Sequence, residues 1–527
     1  KFDAISQTDF YSWFGIFTST HPAVIDVNLP ERGKAEREQL LKLKQKIKDT
    51  VAKAWLASAS SSPVSLPSLQ SFPPSAILKR LDLKTGQWHS DGKAIAQGVT
   101  KPGEFSVALE GGKMIERIHP AGIFTDLVST KERAVLISPT FRCEGGTICI
   151  RGCGAGGARA RYIVQNYPRT GTIHKAKDFK DSNEDVLRWH KLDLEYWKGD
   201  DIFIQCTTAA DMPVEAKPDA RSWFGITDVL ITKSPEEPHS TDPSNPTGQS
   251  DKLTALITAW QTNTLTDAQA LALNTALQQN KLTQDIPAAS ALVAQYRELE
   301  ARLPMPTRVP GVLEGDSRDA ALLVRGNHKQ PGEIVPRYFL DAIDPKPFRP
   351  SDSGRLQLAN SLADMKTNPL TARVIVNRIL HHVFGRGIVA TTDNSGRLGE
   401  LPSHPELLDF LAQRFIDSGG SIKEMVKLLV SSKNFQCDDR APVGATAKDP
   451  DNKLLSHFTV RRLEAESIRD SILSLTGSLE EAMFGEPVGG SELAKWTPGV
   501  LPAHEGLTMP AQVNYVGKGA NLYELGY

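Results

Sequence analysis

The chain has 527 residues, of which 40% are hydrophobic and 23% charged, the composition of an ordinary globular protein able to bury a sizeable core. Its 61 basic and 62 acidic residues give a formal net charge of -1, so charge offers no reason to expect nucleic acid or an anionic membrane as partner. No stretch approaches the roughly 18 consecutive apolar residues that a membrane helix needs.

The N-terminal region, residues 1–60, is predicted to be helical. From Lys34 to Ser58, apolar and charged residues alternate at the spacing of an amphipathic helix. The Ser- and Pro-rich residues 61–80 cannot support a packed element and are predicted to be a linker. Because the chain starts with Lys1 and carries no signal-like segment, we expect it to be a processed or truncated piece of a longer protein.

Residues 81–234 are predicted to form an antiparallel β-sandwich. Short apolar runs such as RYIVQNY and DIFIQCTT are separated by Gly, Pro and Asp clusters at the interval typical of that fold. Within it, Cys143, Cys149 and Cys153 lack the paired CxxC spacing of a zinc site. A disulfide within this group and buried free thiols both remain open.

Several tryptophans lie near the predicted strands or their ends: Trp88, Trp189, Trp197 and Trp223. They are flanked by polar residues: His89, Asp91, His190 and Asp201. If these rings are exposed, they could stack on sugars and form a carbohydrate-binding face. The alternative is that they are core residues, because tryptophan buries a large apolar area.

The rest of the chain is predicted to be mainly helical. After a polar linker at 235–250, residues 251–303 are expected to form a helical hairpin, and 304–495 a mainly helical domain followed by an irregular tail at 496–527. The predicted fold class is therefore multidomain α+β, with an antiparallel sandwich of the jelly-roll or lectin-like kind inserted between mainly α-helical domains.

One block in the C-terminal region is dense in hydrogen-bonding groups. Its candidate catalytic residues are Arg373, Asn377, His381, His382, His404 and Glu406. On a helix, the first three fall on one face, and carboxylates on the next helix could neutralise the arginines. A substrate site is one interpretation, and a buried polar network that fixes helix packing is the other.

The two adjacent histidines point about 100° apart on a helix, so His381 and His382 cannot readily bind one metal ion. Either could serve as an axial haem ligand or a general base, although a packed histidine is the more frequent outcome. No HExxH or HxxEH sequence is present, and no metal ligands are predicted.

The segment NPLTARVIVNRILHHVFGRGIV, with VRGNHKQPGE before it and RRLEAESIRDSILSLTG after it, resembles a C-terminal domain of unknown function from planctomycete multidomain proteins. The resemblance covers about residues 322–477, and KFDAISQTDFYSWFGIF is similar to the end of the first unknown-function domain of the same proteins. The last 25 or so residues instead resemble presequence-protease-type metallopeptidases of the pitrilysin group, without their zinc motif.

This resemblance implies an exported protein of the periplasm or cell surface, with a c-type haem attached upstream of Lys1 and none attached within the chain. It names no reaction, so whether the chain is an enzyme stays open. The leading hypothesis is a haem-linked protein that binds or processes polysaccharide. The alternatives are a non-catalytic surface or scaffold protein and an electron-transfer protein with a redox partner.

Overall fold

The computed structural model describes residues 5–59, 63–67, 72–84, 87–165, 176–179, 187–208, 221–233, 250–327 and 330–479. It contains helices and antiparallel sheets, including a β-sandwich, so the predicted α+β class is confirmed. The predicted linker at 235–250, apart from its last residue, and the predicted tail at 496–527 lie outside the described residues.

The chain divides into two compact units. The first comprises Lys1–Val376, Thr391–Leu401 and Glu406–Gly420, and the second comprises Asn377–Ala390, Pro402–Pro405 and Ser421–Tyr527. The polar block singled out in the sequence is thus shared between the two units.

The helices of the described residues are α1 (Gln7–Thr18), α2 (Lys34–Ser58), α3 (Leu253–Gln261), α4 (Asp267–Gln278), α5 (Pro287–Arg302), α6 (Arg355–Ala363), α7 (Pro369–Phe384), α8 (Pro405–Asp417), α9 (Ile422–Val430), α10 (Ala445–Lys448) and α11 (Ala465–Leu475). Helix α2 has the bounds that its periodicity predicts. In the part of the chain that the structure describes, no helix is both long and apolar enough to span a membrane.

The strands are β1 (Thr20–Asp26), β2 (Pro63–Ser65), β3 (Ile77–Arg80), β4 (His89–Asp91), β5 (Phe105–Val107), β6 (Ile115–Ile118), β7 (Ile123–Phe124), β8 (Val135–Ile137), β9 (Phe141–Arg142), β10 (Thr147–Ala155), β11 (Arg159–Val164), β12 (Ala176–Asp178), β13 (Arg188–Asp193), β14 (Asp201–Thr207), β15 (Trp223–Thr232), β16 (Ser250–Lys252), β17 (Arg308–Glu314), β18 (Ala320–Leu323) and β19 (Pro331–Val335).

Two antiparallel sheets form the sandwich. One has the order β13-β10-β15-β3 with β7 also on β15, and the other has the order β12-β11-β14-β8-β4 with β9 also on β14. Ile148 and Ile150 of one sheet and Tyr162 and Ile204 of the other meet in a single buried cluster. The alternation of apolar residues in these strands thus places one side of each sheet in a shared core.

The cysteines of the sandwich are buried free thiols. Cys143, Cys149 and Cys153 belong to three different hydrophobic clusters. Burial also raises the pKa of the Cys206 thiol to about 12, which keeps it protonated and inert. Of the two alternatives that the sequence leaves open, the structure therefore shows free thiols and not a disulfide within this group.

A helical layer packs beside a small hairpin of strands β5 and β6. Helices α2, α3, α4 and α5 share one buried cluster with the hairpin, in which Trp55 and Trp260 stack with centroids 5.2 Å apart. The Trp260 indole N–H donates to the Gly103 carbonyl at 2.8 Å. Residues 251–303 hold three helices rather than a two-helix hairpin, because Thr266 forms a capping box with Gln269 and starts α4.

A two-stranded sheet joins the N-terminal segment to residues far along the chain. Strand β1 pairs with β17 in antiparallel register, from Thr20 opposite Glu314 to Asp26 opposite Arg308. The Arg308 guanidinium also donates to the Asp91 carboxylate of β4 at 2.6 Å. This pairing brings the start of the chain and residues near 316 to the edge of the sandwich.

Candidate functional site

The arginine of the predicted polar block forms a surface ion pair. Arg373 donates to the Asp409 carboxylate, and their side chains are 33% and 60% exposed. Glu406, also in the first unit, is exposed. Exposed pairs of this kind contribute about 0–1 kcal/mol to stability. The position of Arg373 is therefore that of a solvated helix face.

Asn377 has a different environment. Its side chain is 4% exposed, its amide group donates to the Val389 carbonyl at 2.9 Å, and its amide oxygen accepts from the Val389 N–H at 2.8 Å. A Cβ on Gly387 would lie 2.7 Å from the Asn377 amide oxygen, so glycine is what lets the backbone approach. Asn377 therefore fastens the segment after α7 back onto that helix.

The histidines of the block make local contacts. His381 is half-buried and His382 is exposed, and the Arg461 guanidinium donates to the His382 carbonyl at 2.6 Å. The His404 imidazole lies 3.0 Å from the Ser403 hydroxyl. That hydroxyl also donates to the Ile388 backbone carbonyl. These contacts run largely to the backbone and are those of a packing network. A catalytic role for these residues stays a prediction.

The predicted sugar-stacking tryptophans lie in separate places. Trp88 and Trp197 are half-buried against the sandwich core, and their indole N–H groups donate to the Asp82 carbonyl and the Tyr162 hydroxyl, each at 3.1 Å. Trp189 packs edge-on against Phe72 in another cluster. A shared stacking face for these residues stays a prediction.

Trp223 differs from that prediction most clearly. It is 4% exposed and packs in a cluster with Phe124 and Cys153. The Arg117 guanidinium lies 4.2 Å from the centroid of its ring, which occupies the ring face with a cation–π contact. Trp223 is thus a core residue, as the alternative interpretation of the tryptophans has it.

A cleft opens beside α2 that sequence patterns did not single out. It has a volume of ≈ 440 Å³, within the range typical of ligand sites. Its lining comprises Leu41, Lys44, Gln45, Lys48, Gln97, Val99, Thr100, Lys101, Pro102, Glu104, Phe105, Leu127, Val128 and Asn263. Most of these groups are polar, and all belong to the first unit.

Two lysines in this cleft are buried. The Lys44 ammonium bonds to the Glu104 carboxylate at 3.1 Å and lies 4.8 Å from the centroid of the Phe105 ring. Burial lowers the pKa of Lys44, and Glu104 partly opposes the shift. The Lys48 ammonium donates to the Asn263 amide oxygen at 2.5 Å, and burial lowers its pKa as well. A cleft with buried ammonium groups of lowered pKa is typical of a functional site.

A sequence signal for this cleft existed. Lys44 lies in helical register with Leu40, Ile47 and Val51, which form the buried face of α2. A lysine at a core position of an amphipathic helix needs a partner, because an unpaired buried charge is costly. The partners, Glu104 and Asn263, come from distant parts of the chain, so sequence spacing alone could not supply them.

A second group of residues approaches one another at the edge of the sandwich. His21 on β1, His89 on β4 and Asp316 just after β17 offer one ligand atom each, and these atoms all lie within 4.8 Å of one another. The His89 Nε2 atom is 3.2 Å from the Asp316 Oδ1 atom. The sequence pattern marks His89 only as a polar neighbour of Trp88, and it does not single out His21 or Asp316.

Residues 354–511 match the model of a family described as PSD1, a protein of unknown function (DUF1553). The predicted unknown-function domain is thus confirmed for that part of the chain, which includes α6 to α11. The family model names no reaction. No curated protein matches the chain.

A solved structure, TmCBM61 in complex with β-1,4-galactotriose, aligns with 31% of this chain and 99% of its own length. The identity is 10% and the TM-score 0.18. A likeness of that size implies nothing about what this chain binds.

Proposed function

We propose that this chain is a polysaccharide-binding protein and that the cleft beside α2 binds an acidic sugar segment. The observation that carries the proposal is the pair of buried ammonium groups, Lys44 and Lys48, in a polar cleft of ≈ 440 Å³. Sugar hydroxyls both donate and accept hydrogen bonds. The amides of Gln45, Gln97 and Asn263 can do the same, and so can the Thr100 hydroxyl.

The charge of the cleft indicates which sugars it suits. Three of its lining residues are basic, Lys44, Lys48 and Lys101, and one is acidic, Glu104. Since Glu104 pairs with Lys44, the lining keeps an excess of positive charge. A carboxylate on the sugar would form charge-assisted hydrogen bonds with the lysine ammonium groups of the lining. Such bonds are about twice as strong as neutral ones.

Calorimetry on the full chain tests this proposal with a pair of ligands, oligogalacturonate and its fully methyl-esterified form, which have the same sugar backbone but differ in charge and in the ester methyl groups. We expect the acid to bind about tenfold tighter or more, since a hydrogen bond to a charged group contributes about 1.5–3 kcal/mol. Raising the salt concentration should weaken the binding of oligogalacturonate, because salt screens the attraction between charges. Equal affinity for the two ligands, or no binding of either, would overturn the proposal.

Lys101→Gln is the first variant to measure, because the Lys101 side chain is exposed and its loss should not affect folding. Removing that charge should weaken oligogalacturonate binding about tenfold. Lys113→Gln is the matched control, because Lys113 is exposed and is not among the cleft residues. If both variants bind like the parent chain, the ligand lies elsewhere.

For the polar block of the C-terminal region, we propose a non-catalytic scaffold role as a second candidate. The two hydrogen bonds between Asn377 and the Val389 backbone support it, because they satisfy buried groups without leaving them for a substrate. Loss of activity in an Asn377→Asp variant whose stability equals that of the parent would count against it.

We further propose that the chain works in the periplasm or at the cell surface, in association with a c-type haem carried upstream. The resemblance of residues 322–477 to planctomycete cytochrome c-associated proteins supports this, as does the similarity of the opening residues to their first unknown-function domain. An absorption spectrum of the full-length protein that lacks a Soret band would exclude the proposed haem. Cell fractionation tests the location.

A further inference from the structure

We propose that His21, His89 and Asp316 form a binding site for a divalent transition-metal ion, with Zn²⁺ the ion of best fit. The three side chains supply two imidazole nitrogens and a carboxylate oxygen. That donor set suits Zn²⁺, which binds histidine nitrogen and carboxylate oxygen at about 2.0–2.2 Å.

The spacing of the donor atoms fits such an ion. Ligands at that distance around a tetrahedral ion lie about 3.4 Å from one another. The His89 Nε2 and Asp316 Oδ1 atoms are 3.2 Å apart, and all three donor atoms lie within 4.8 Å of one another. The widest separation thus exceeds the ideal one by no more than about 1.4 Å, which side-chain adjustments can close.

Neighbouring groups hold the carboxylate in place. The Thr140 backbone N–H donates to the Asp316 Oδ2 atom, which leaves the Oδ1 atom on the side of His89. Hydrogen bonds of this kind orient metal ligands and contribute to affinity.

Packing holds the buried histidine in place. His21 is 2% exposed, and its ring centroid lies 4.1 Å from that of Phe203. A Cβ on Gly315 would come within 2.7 Å of the His21 Nε2 atom, so the glycine leaves room for the imidazole. His21 is therefore fixed by its surroundings, as a preformed ligand is.

The site joins three segments that are distant in the sequence. Strand β1 carries His21, the residues after β17 carry Asp316, and β4 carries His89 at the edge of the six-stranded sheet. The His89 and Asp316 side chains are 24% and 33% exposed, so an ion can enter from solvent. Three protein ligands leave a position for water, and the ion would cross-link the three segments.

Titration of the chelator-treated full chain with Zn²⁺ and with Co²⁺ tests the proposal. We expect one ion per chain, a visible absorption band of tetrahedral Co²⁺, and a higher melting temperature with Zn²⁺ for the parent chain. His89→Ala and Asp316→Asn should each weaken binding about 100-fold or more, because loss of a ligand exceeds the 10–100-fold effect of losing a supporting contact.

His457→Ala is the control, because His457 belongs to the other unit, and it should bind like the parent chain. Asp316→Asn keeps the shape of the side chain and an acceptor for the Thr140 N–H, so it separates loss of the metal from loss of the fold. Binding that is weaker than micromolar, or that is the same in all variants, overturns the proposal.

Discussion

The region around α2 and the block at residues 373–409 contrast in where their polar groups find partners. In the block, the polar residues are close in sequence, yet Arg373 pairs with an exposed Asp409 and Asn377 bonds to backbone. Around α2, the polar residues are scattered in sequence, yet Lys44 and Lys48 are buried and paired. Density of polar residues along a chain is thus a poor guide to where they gather in space.

The first unit also holds an ion pair whose carboxylate, Glu300, is 3% exposed, while its partner Arg221 is 39% exposed. Arg221 donates to both oxygens of the Glu300 carboxylate, at 2.6 and 2.9 Å, and Ser129 donates to it as well. Lys131 donates to the last carbonyls of α5, including that of Glu300, and so caps that helix. Buried charges in this region are held by several partners at once.

The largest expected effect comes from breaking that pair. Arg221→Ala leaves the Glu300 carboxylate buried without its bidentate partner, which should destabilise the first unit by about 3 kcal/mol. Hydrogen exchange of the α5 amides measures the loss locally. Arg80→Ala, which removes the exposed pair with Asp228, is the control and should cost less than about 1 kcal/mol. Equal effects would remove the contrast between a pair with a buried carboxylate and an exposed pair.

A smaller loss is expected in the second unit. Asn377→Ala leaves the Val389 N–H and carbonyl groups without their side-chain partner, at a cost of about 2 kcal/mol. The exchange rate of the Val389 amide should rise accordingly. Asn377→Asp is the second variant, because it keeps the acceptor for the N–H, loses the donor and adds a buried carboxyl group. An unchanged Val389 rate in the alanine variant would refute the packing role.

The pH dependence of stability should follow the buried carboxylates. Although burial alone raises it, hydrogen bonds from Arg221 and Ser129 lower the pKa of Glu300, and His119 and Arg117 lower that of Asp126. A depressed carboxylate pKa stabilises the fold above the unfolded value of about 4, and that stability is lost as the pH falls through the folded pKa.

Melting temperatures measured between neutral pH and about pH 3 should therefore decline in acid, and Glu300→Gln should flatten the decline. The opposite sign applies to Glu132, whose pKa burial raises, so its contribution decreases as the pH rises. If the melting temperature of Glu300→Gln falls with decreasing pH as steeply as that of the parent chain, this carboxylate does not govern the loss of stability in acid.

The smallest effect is expected at the surface of the predicted block. Arg373→Ala should change the free energy of unfolding by less than about 1 kcal/mol, because both partners of its ion pair are exposed. A double-mutant cycle with Asp409→Ala measures the coupling directly. A coupling above 2 kcal/mol would mean that the pair is far more important than its exposure indicates.

Elements with a strong local pattern could be predicted well. Helix α2 has the bounds read from its periodicity, and α8 begins at Pro405, a residue type that is favoured in the first turn of a helix. The division of 251–303 into three helices could not be read as easily, since it depends on the capping box of Thr266 in an otherwise apolar helical run.

By itself, the sequence determined the α+β class and the local elements, because hydrophobic periodicity and capping act over a few residues. Only the tertiary structure decided which polar groups meet. The pairing of β1 with β17 brings His21 and Asp316 near His89, and the approach of Asn263 to α2 completes the cleft. Such meetings depend on contacts between distant segments, which leave no spacing in the sequence to recognise.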